Sequence, residues 1–177
     1  MCSSDLAELF HGPTLAFKDY PLQLVGRLFD YFLTKRNKTI TIIGATSGDT
    51  GSAAIEACRD RDTIKIFMLH PEGRVSEVQR RQMTTVKANN VFNLALNGTF
   101  DDCQDMVKKA FLDTELTSKM QLTSANSINV ARWLPQLFYF MFAYKQLKNS
   151  SKDIVFSVPS GNFGNVCAGL MAHQLGL

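Results

Sequence analysis

Short runs of β-branched and aliphatic residues alternate with longer amphipathic segments along this chain, and that alternation leaves few folds open. "TITIIG" (39 to 44), "IKIFML" (64 to 69), "VFNLAL" (91 to 96) and "DIVFSV" (153 to 158) each read as a strand. Between them lie segments with helical spacing: "GSAAIEACRDR", "VSEVQRRQMTTV", "FDDCQDMVKKAFLD" and the stretch from Ile128 to Leu147, where Pro135 predicts a bend or a break. A further helix precedes the first strand, with Leu22, Val25, Leu28, Phe29 and Phe32 on its apolar side, and a last one follows Asn165. Four short strands separated by helices predict an α/β fold, a parallel sheet with helices on both faces in three αβα layers.

Composition narrows the class. Hydrophobic residues make up 45% of the 177, charged residues 20%, and the formal net charge of +3 is spread without basic blocks, so neither a nucleic-acid nor a membrane partner is expected. Four cysteines (Cys2, Cys58, Cys103, Cys167) and three histidines (His11, His70, His173) lie far apart, which predicts free thiols and no metal site. No secretory leader pattern and no run of eighteen apolar residues occurs, so the expected location is the cytoplasm.

Ligands of such sheets gather beyond the carboxyl ends of the strands. Two loops there are unusual: "GATSGDTGS" (44 to 52) and "PSGNFGN" (159 to 165). Small residues let the backbone approach a ligand, and the free amides of a following helix favour an anion. The first loop has Asp49 where a P-loop needs its lysine, which disfavours ATP or GTP. The second lacks the third glycine of a dinucleotide fingerprint, and "IKIFMLHP" ends without the acidic residue that would hold a ribose, which disfavours a nicotinamide cofactor.

Lys18 is the third feature. It stands in "HGPTLAFKDY" (11 to 20), at the entrance to the first helix, between an apolar patch (Leu15, Ala16, Phe17) and Asp19. Two readings stay open on those residues: a solvated ion pair with Asp19, or an amine whose pKa is lowered by apolar surroundings and which is thereby made nucleophilic. An activated lysine and two anion-cradling loops together match the needs of pyridoxal 5'-phosphate, which takes a lysine for its aldehyde and donors for its phosphate and for a substrate carboxylate.

The blocks "ELFHGPTLAFKD" (8 to 19), "ATSGDTGSAA" (45 to 54), "SANSINVARW" (124 to 133) and "SVPSGNFGN" (157 to 165) resemble, in order and spacing, the signature blocks of the threonine synthase family, pyridoxal-phosphate enzymes of fold type II. The resemblance runs from about Ala7 to Leu177. It implies that Lys18 carries the cofactor as a Schiff base and serves as the acid and base, and that Gly161, Asn162, Phe163, Gly164 and Asn165 hold its phosphate. It implies further that Thr46, Ser47, Gly48, Asp49 and Thr50 face the substrate carboxylate and the ring edge, and that Ser124, Asn126 and Asn129 line the substrate side. Arg132 is a phosphate partner or a helix-surface arginine; His11 reaches the site or is a structural histidine of the turn.

The implied reaction converts O-phospho-L-homoserine and water into L-threonine and phosphate. Two alternatives stand beside it: a related phospholyase that releases 2-oxobutyrate, and a non-catalytic phosphate-binding module. The resemblance also implies an incomplete fold type II unit. Residues 1 to 177 are expected to be a fragment of the catalytic region, with roughly 39 to 130 resembling the smaller lobe and the remainder part of the cofactor lobe. Portions that family members carry at both ends, including the hydroxyl partner of the pyridine nitrogen, are expected to have no counterpart in this chain, so the isolated fragment is expected to turn over little or nothing.

Overall fold

The computed structural model describes residues 6–125, 130–149 and 153–177. Four parallel strands, β1 (Ile40–Ala45), β2 (Ile64–Pro71), β3 (Val91–Leu96) and β4 (Leu122–Ser124), form one sheet in the order β3-β2-β1-β4. β1 is central: Ile40 to Ala45 pair with Ile64 to Leu69 on one side, and Thr41 to Ile43 with Leu122 to Ser124 on the other. The helices are α1 (Asp19–Arg36), α2 (Asp49–Cys58), α3 (Glu77–Thr84), α4 (Phe100–Leu112), α5 (Thr114–Lys119), α6 (Val130–Trp133), α7 (Leu137–Leu147) and α8 (Gly164–Gln174), with a 3-10 turn at Leu134–Gln136.

Strand alternation sorts the apolar residues onto two faces. Ile40, Ile42, Ile64, Ile66 and Met68 bury against Leu22 of α1, Ala53, Ile55 and Ala57 of α2, and Met83 of α3. On the opposite face Leu69, with Ile43, Ala45 and Leu96, meets Cys103 and Val107 of α4. The sheet is thus covered on both sides, as the alternation predicts. A separate cluster, Leu137, Phe140, Ala168 and Ala172, joins α7 to α8.

Local signals set the helix ends. Thr99 and Asp102 form a reciprocal capping box at the start of α4, Ser76 accepts from the Gln79 amide at the start of α3, and Asn37 closes α1 in the left-handed region at φ 50°. Gly26 is needed for a different reason. A Cβ there would lie 2.5 Å from the Ala57 carbonyl oxygen, so glycine lets α1 press against α2 and carries the start of α1 toward the start of α2.

Two expectations are corrected. The fourth strand is not 153 to 158 but Leu122–Ser124, which occupies the free edge of β1. The "DIVFSV" run has the composition of a strand but no ladder neighbour among the described residues, and Val155 is 87% exposed. A strand is defined by its pairing, and a β-branched run does not supply a partner. The long helix expected from 128 to 147 is divided: α6, the 3-10 turn around Pro135, then α7. That turn is the break that a proline lacking an amide donor produces. Ile128 lies outside the described residues. In addition, α2 starts at Asp49, earlier than the "GSAAIEACRDR" pattern indicates.

Candidate active site

Lys18 occupies the N-cap position of α1. Its neighbour Asp19 is not its ionic partner. The Asp19 carboxylate is buried, accepting from the Thr14 amide (2.9 Å), the Thr14 hydroxyl and the Ala16 amide (3.3 Å), so it ties the preceding turn to the helix start. That leaves the ammonium of Lys18 to face α2, where Nζ lies 3.6 Å from Oδ2 of Asp49. The Phe17 ring sits 5.4 Å from Nζ. Desolvation by burial lowers the pKa of Lys18 below the usual lysine value; Asp49 opposes that shift and Arg132 adds to it. Of the two readings of the lysine, the structure matches the desolvated amine.

The first glycine loop is wired from inside. The buried Thr46 hydroxyl accepts from the amides of Gly48 (3.0 Å) and Gly51 (2.9 Å) and donates to the Gly48 carbonyl (3.2 Å). Gly48 has φ 151°, a conformation that side chains resist. Ser52 Oγ donates to the Asp49 carbonyl at 3.2 Å, and Ser47 is exposed. The Gln79 side-chain amide of α3 donates to Oδ1 of Asp49 while its Oε1 accepts from Ser76 Oγ at 2.9 Å, which leaves Oδ2 for Lys18. Gln82, one turn further along α3, donates to the Thr14 carbonyl at 3.1 Å. One helix face therefore holds both the lysine turn and the first loop.

The second loop is held by Ser160 and Asn165. Ser160 Oγ accepts from the Phe163 amide (3.0 Å) and donates to Oδ1 of Asn165, which also accepts from the Val166 amide (3.0 Å); Asn165 Nδ2 donates to the Pro159 carbonyl (3.2 Å). Phe163 caps α8 at φ 55° and is 66% exposed; Gly161 and Asn162 are exposed beside it. A Cβ at Gly161 would meet no atom within 4 Å. The loop is thus a preformed turn with its glycine open to an incoming group.

Between them stands Arg132 of α6. It is buried and not on a helix surface: Nη1 donates to the Ala125 carbonyl at 2.7 Å, Nε has no hydrogen-bond partner among the described residues, and burial pushes its pKa down to about 10. A buried cation with an unused donor is costly unless an anion completes it. The segment carrying Arg132 packs on α1 on one side and on α8 on the other, and so connects the lysine turn to the helix behind the second loop. Ser124 ends β4, beside Ile43. Asn126 and Asn129 lie outside the described residues. His11 is exposed, with Nε2 3.2 Å from Glu8 and its ring against Phe10.

The sequence reading missed Gln79, Gln82 and Tyr139, which donates from α7 to the Phe17 carbonyl. The spacing of the two glutamines by three on an otherwise polar helix was a usable signal. Tyr139 lies in a continuous apolar run and gave none. Among the described residues no group of three or more His, Cys, Asp and Glu could hold a metal ion, and no helix is long and apolar enough to cross a membrane.

Known proteins resemble this arrangement. Threonine synthase of Pseudomonas aeruginosa is 55% identical over 170 residues, covering 96% of this chain and 36% of its own length. The threonine synthase of Saccharomyces cerevisiae is 50% identical over 182 residues, covering 97% and 35%. Among solved structures, that of PLP-bound threonine synthase from Brucella melitensis superposes with a TM-score of 0.90 at 49% identity, over 99% of this chain and 39% of that one. The chain thus spans little more than a third of the length of the curated relatives it matches. Residues 7–176 match the family model described as "Pyridoxal-phosphate dependent enzyme", so the chain belongs to that family.

Proposed function

We infer that this chain serves a threonine synthase, forming L-threonine and phosphate from O-phospho-L-homoserine and water. The observation that carries the reading is a desolvated lysine amine facing Asp49, near a buried arginine whose Nε has no partner among the described residues. Threonine synthases at about half identity supply the reaction.

The residues present fit pyridoxal 5'-phosphate. An amine with a lowered pKa suits carbonyl addition, and the exposed Gly161 backbone with its clear space suits a phosphate. When bound, the cofactor supplies an electron sink that makes protons near the substrate amine removable. Lys18 would hold it covalently and then, once free, move protons at Nζ. Its desolvation makes the proton easier to give up than on an ordinary lysine, which suits that amine to act as a base. Asp49 would anchor the amine, with Gln79 fixing which carboxylate oxygen turns toward it. Gly161 to Asn165 would bind the cofactor phosphate. Thr46 to Thr50, at the start of α2, would meet the substrate carboxylate, with Ser124, Asn126 and Asn129 on the substrate side. Arg132 Nε is suited to the departing phosphate, since a guanidinium already stripped of water loses little on binding an anion. The small-molecule substrate needs neither nucleic acid nor membrane, and a cytoplasmic site of action accords with it.

Two measurements on the full-length protein test this. Borohydride reduction with pyridoxal phosphate, followed by peptide mapping, should place the adduct on Lys18, and Lys18→Ala should abolish it while the melting temperature stays within a few degrees. Product analysis with O-phosphohomoserine should then give threonine with stoichiometric phosphate. Accumulation of 2-oxobutyrate would assign the phospholyase reaction instead, and absence of the adduct would leave a binding module.

A further inference from the structure

The turn that presents Lys18 is fixed largely by its own residues, with Gln82 of α3 holding the Thr14 carbonyl from outside. Asp19 gathers Thr14 and Ala16, the Asp19 amide donates to the Ala16 carbonyl at 3.0 Å, and the Lys18 carbonyl accepts from Leu22 at 3.1 Å. The Phe17 carbonyl, in the peptide unit from which Lys18 springs, is held from elsewhere, by the hydroxyl of Tyr139, 122 residues further along. Tyr139 is only partly exposed, and burial pushes its phenol well above the ordinary tyrosine pKa, so it stays a neutral donor. The ring meets Tyr20 edge-on at 5.9 Å and packs against the cluster that joins α7 to α8. α8 begins at Gly164, inside the second loop. One side chain therefore spans the lysine turn and the helix pair carrying the other half of the site.

We propose that Tyr139 is a positioning residue for Lys18, fixing the Phe17–Lys18 peptide so that the amine stays turned in toward Asp49 and in register with the second loop. This rests on reading Lys18 as the cofactor lysine. Groups that act on the charge of the amine come from three places: Asp49 from α2, Arg132 from α6, and the Phe17 ring from its own turn, while the Asp19 carboxylate is taken up by Thr14 and Ala16. Tyr139 carries no charge and acts through the turn. Loss of its hydroxyl loosens the turn, lets water reach Nζ, and returns the amine toward ordinary lysine behaviour.

The test follows the rate of borohydride-trapped pyridoxal phosphate at Lys18 against pH, in the full-length protein, for Tyr139→Phe and for Tyr20→Phe as the control. Tyr139→Phe should slow trapping at neutral pH about fivefold, the equivalent of one neutral hydrogen bond, and move its pH midpoint upward; Tyr20→Phe should do neither. Placing 3-fluorotyrosine at 139, a stronger donor of nearly the same shape, should leave the midpoint at or below the unmodified value, and it keeps the question open to measurement if the phenylalanine variant does not fold. Overturning results are a Tyr139→Phe profile equal to the unmodified one, an equal shift in Tyr20→Phe, or a lowered melting temperature with an unmoved midpoint. If the unmodified protein forms no adduct at Lys18, the reading beneath the proposal fails first, and visibly so.

Discussion

The two glycine loops look alike in sequence, small residues and amides before a helix, but they are built differently. In the first, the strand β1 is paired on both sides and the loop closes around a buried threonine hydroxyl. In the second, the preceding run 153 to 158 has no ladder partner among the described residues, and the turn is held by Ser160 and Asn165 at the surface. Similar local motifs thus rest on unequal support. The first loop is fixed from the core outward, whereas the second is fixed by hydrogen bonds within itself.

The largest difference should appear in stability when a methyl group is added to each. At Gly51 a new Cβ would sit 2.6 Å from Met83 Sδ and 3.0 Å from Thr46 Cβ, both inside the packed core. Overpacking of this kind costs about 1–3 kcal/mol. Gly51→Ala should therefore lower the urea midpoint clearly and weaken cofactor binding with it. A variant as stable as the parent would show that the first loop is no more tightly packed than the second, and the comparison would fall.

That inequality also decides how much the sequence reveals. β1 and β2 are legible because their β-branched runs are buried, β3 because a short apolar run is closed by Asn97-Gly98, and the start of α1 because Lys18 precedes a clear helical period. "DIVFSV" misleads because it has the right residues but no neighbour to pair with among the described residues, and β4 is missed because three residues carry no period. In the site, Lys18 and both loops can be read from composition and order. The Asp49 partnership of Lys18, the burial of Arg132 and the reach of Tyr139 cannot, since each joins residues more than thirty positions apart and depends on how helices pack. Asp19 shows the same limit in reverse: adjacency suggested an ion pair, but its carboxylate turns back into the loop.

A medium-sized effect should separate the two sides of the lysine. Asp49 raises the pKa of Lys18, while desolvation and Arg132 lower it. Asp49→Asn removes the raising influence, so the amine should lose its proton at lower pH and the trapping profile should move toward acid, opposite to the shift expected for Tyr139→Phe. The sign for stability follows. Because the folded-state value lies below the unfolded one, the burial penalty is fully present below the folded pKa and is relieved as pH rises toward 10.5, so the unmodified protein gains stability over that window. An alkaline movement of the profile in Asp49→Asn would mean that the carboxylate does not act on this amine.

The smallest effect on stability is expected at Gly161, and there the two kinds of support can be told apart most sharply. Its φ is not in the left-handed region, and a Cβ would find open space. Alanine at such a site restricts mainly the unfolded chain, which stabilises by about 0.4–1 kcal/mol at most. Gly161→Ala should therefore unfold at the same urea concentration as the parent or slightly above it. The open space is also where a phosphate would approach the loop backbone, and a methyl group there stands between the amides and the anion. Cofactor affinity, followed by absorbance during titration with pyridoxal phosphate, should fall while stability does not. Unchanged affinity would remove Gly161 from the phosphate cradle and leave the second loop a surface turn held by Ser160 and Asn165.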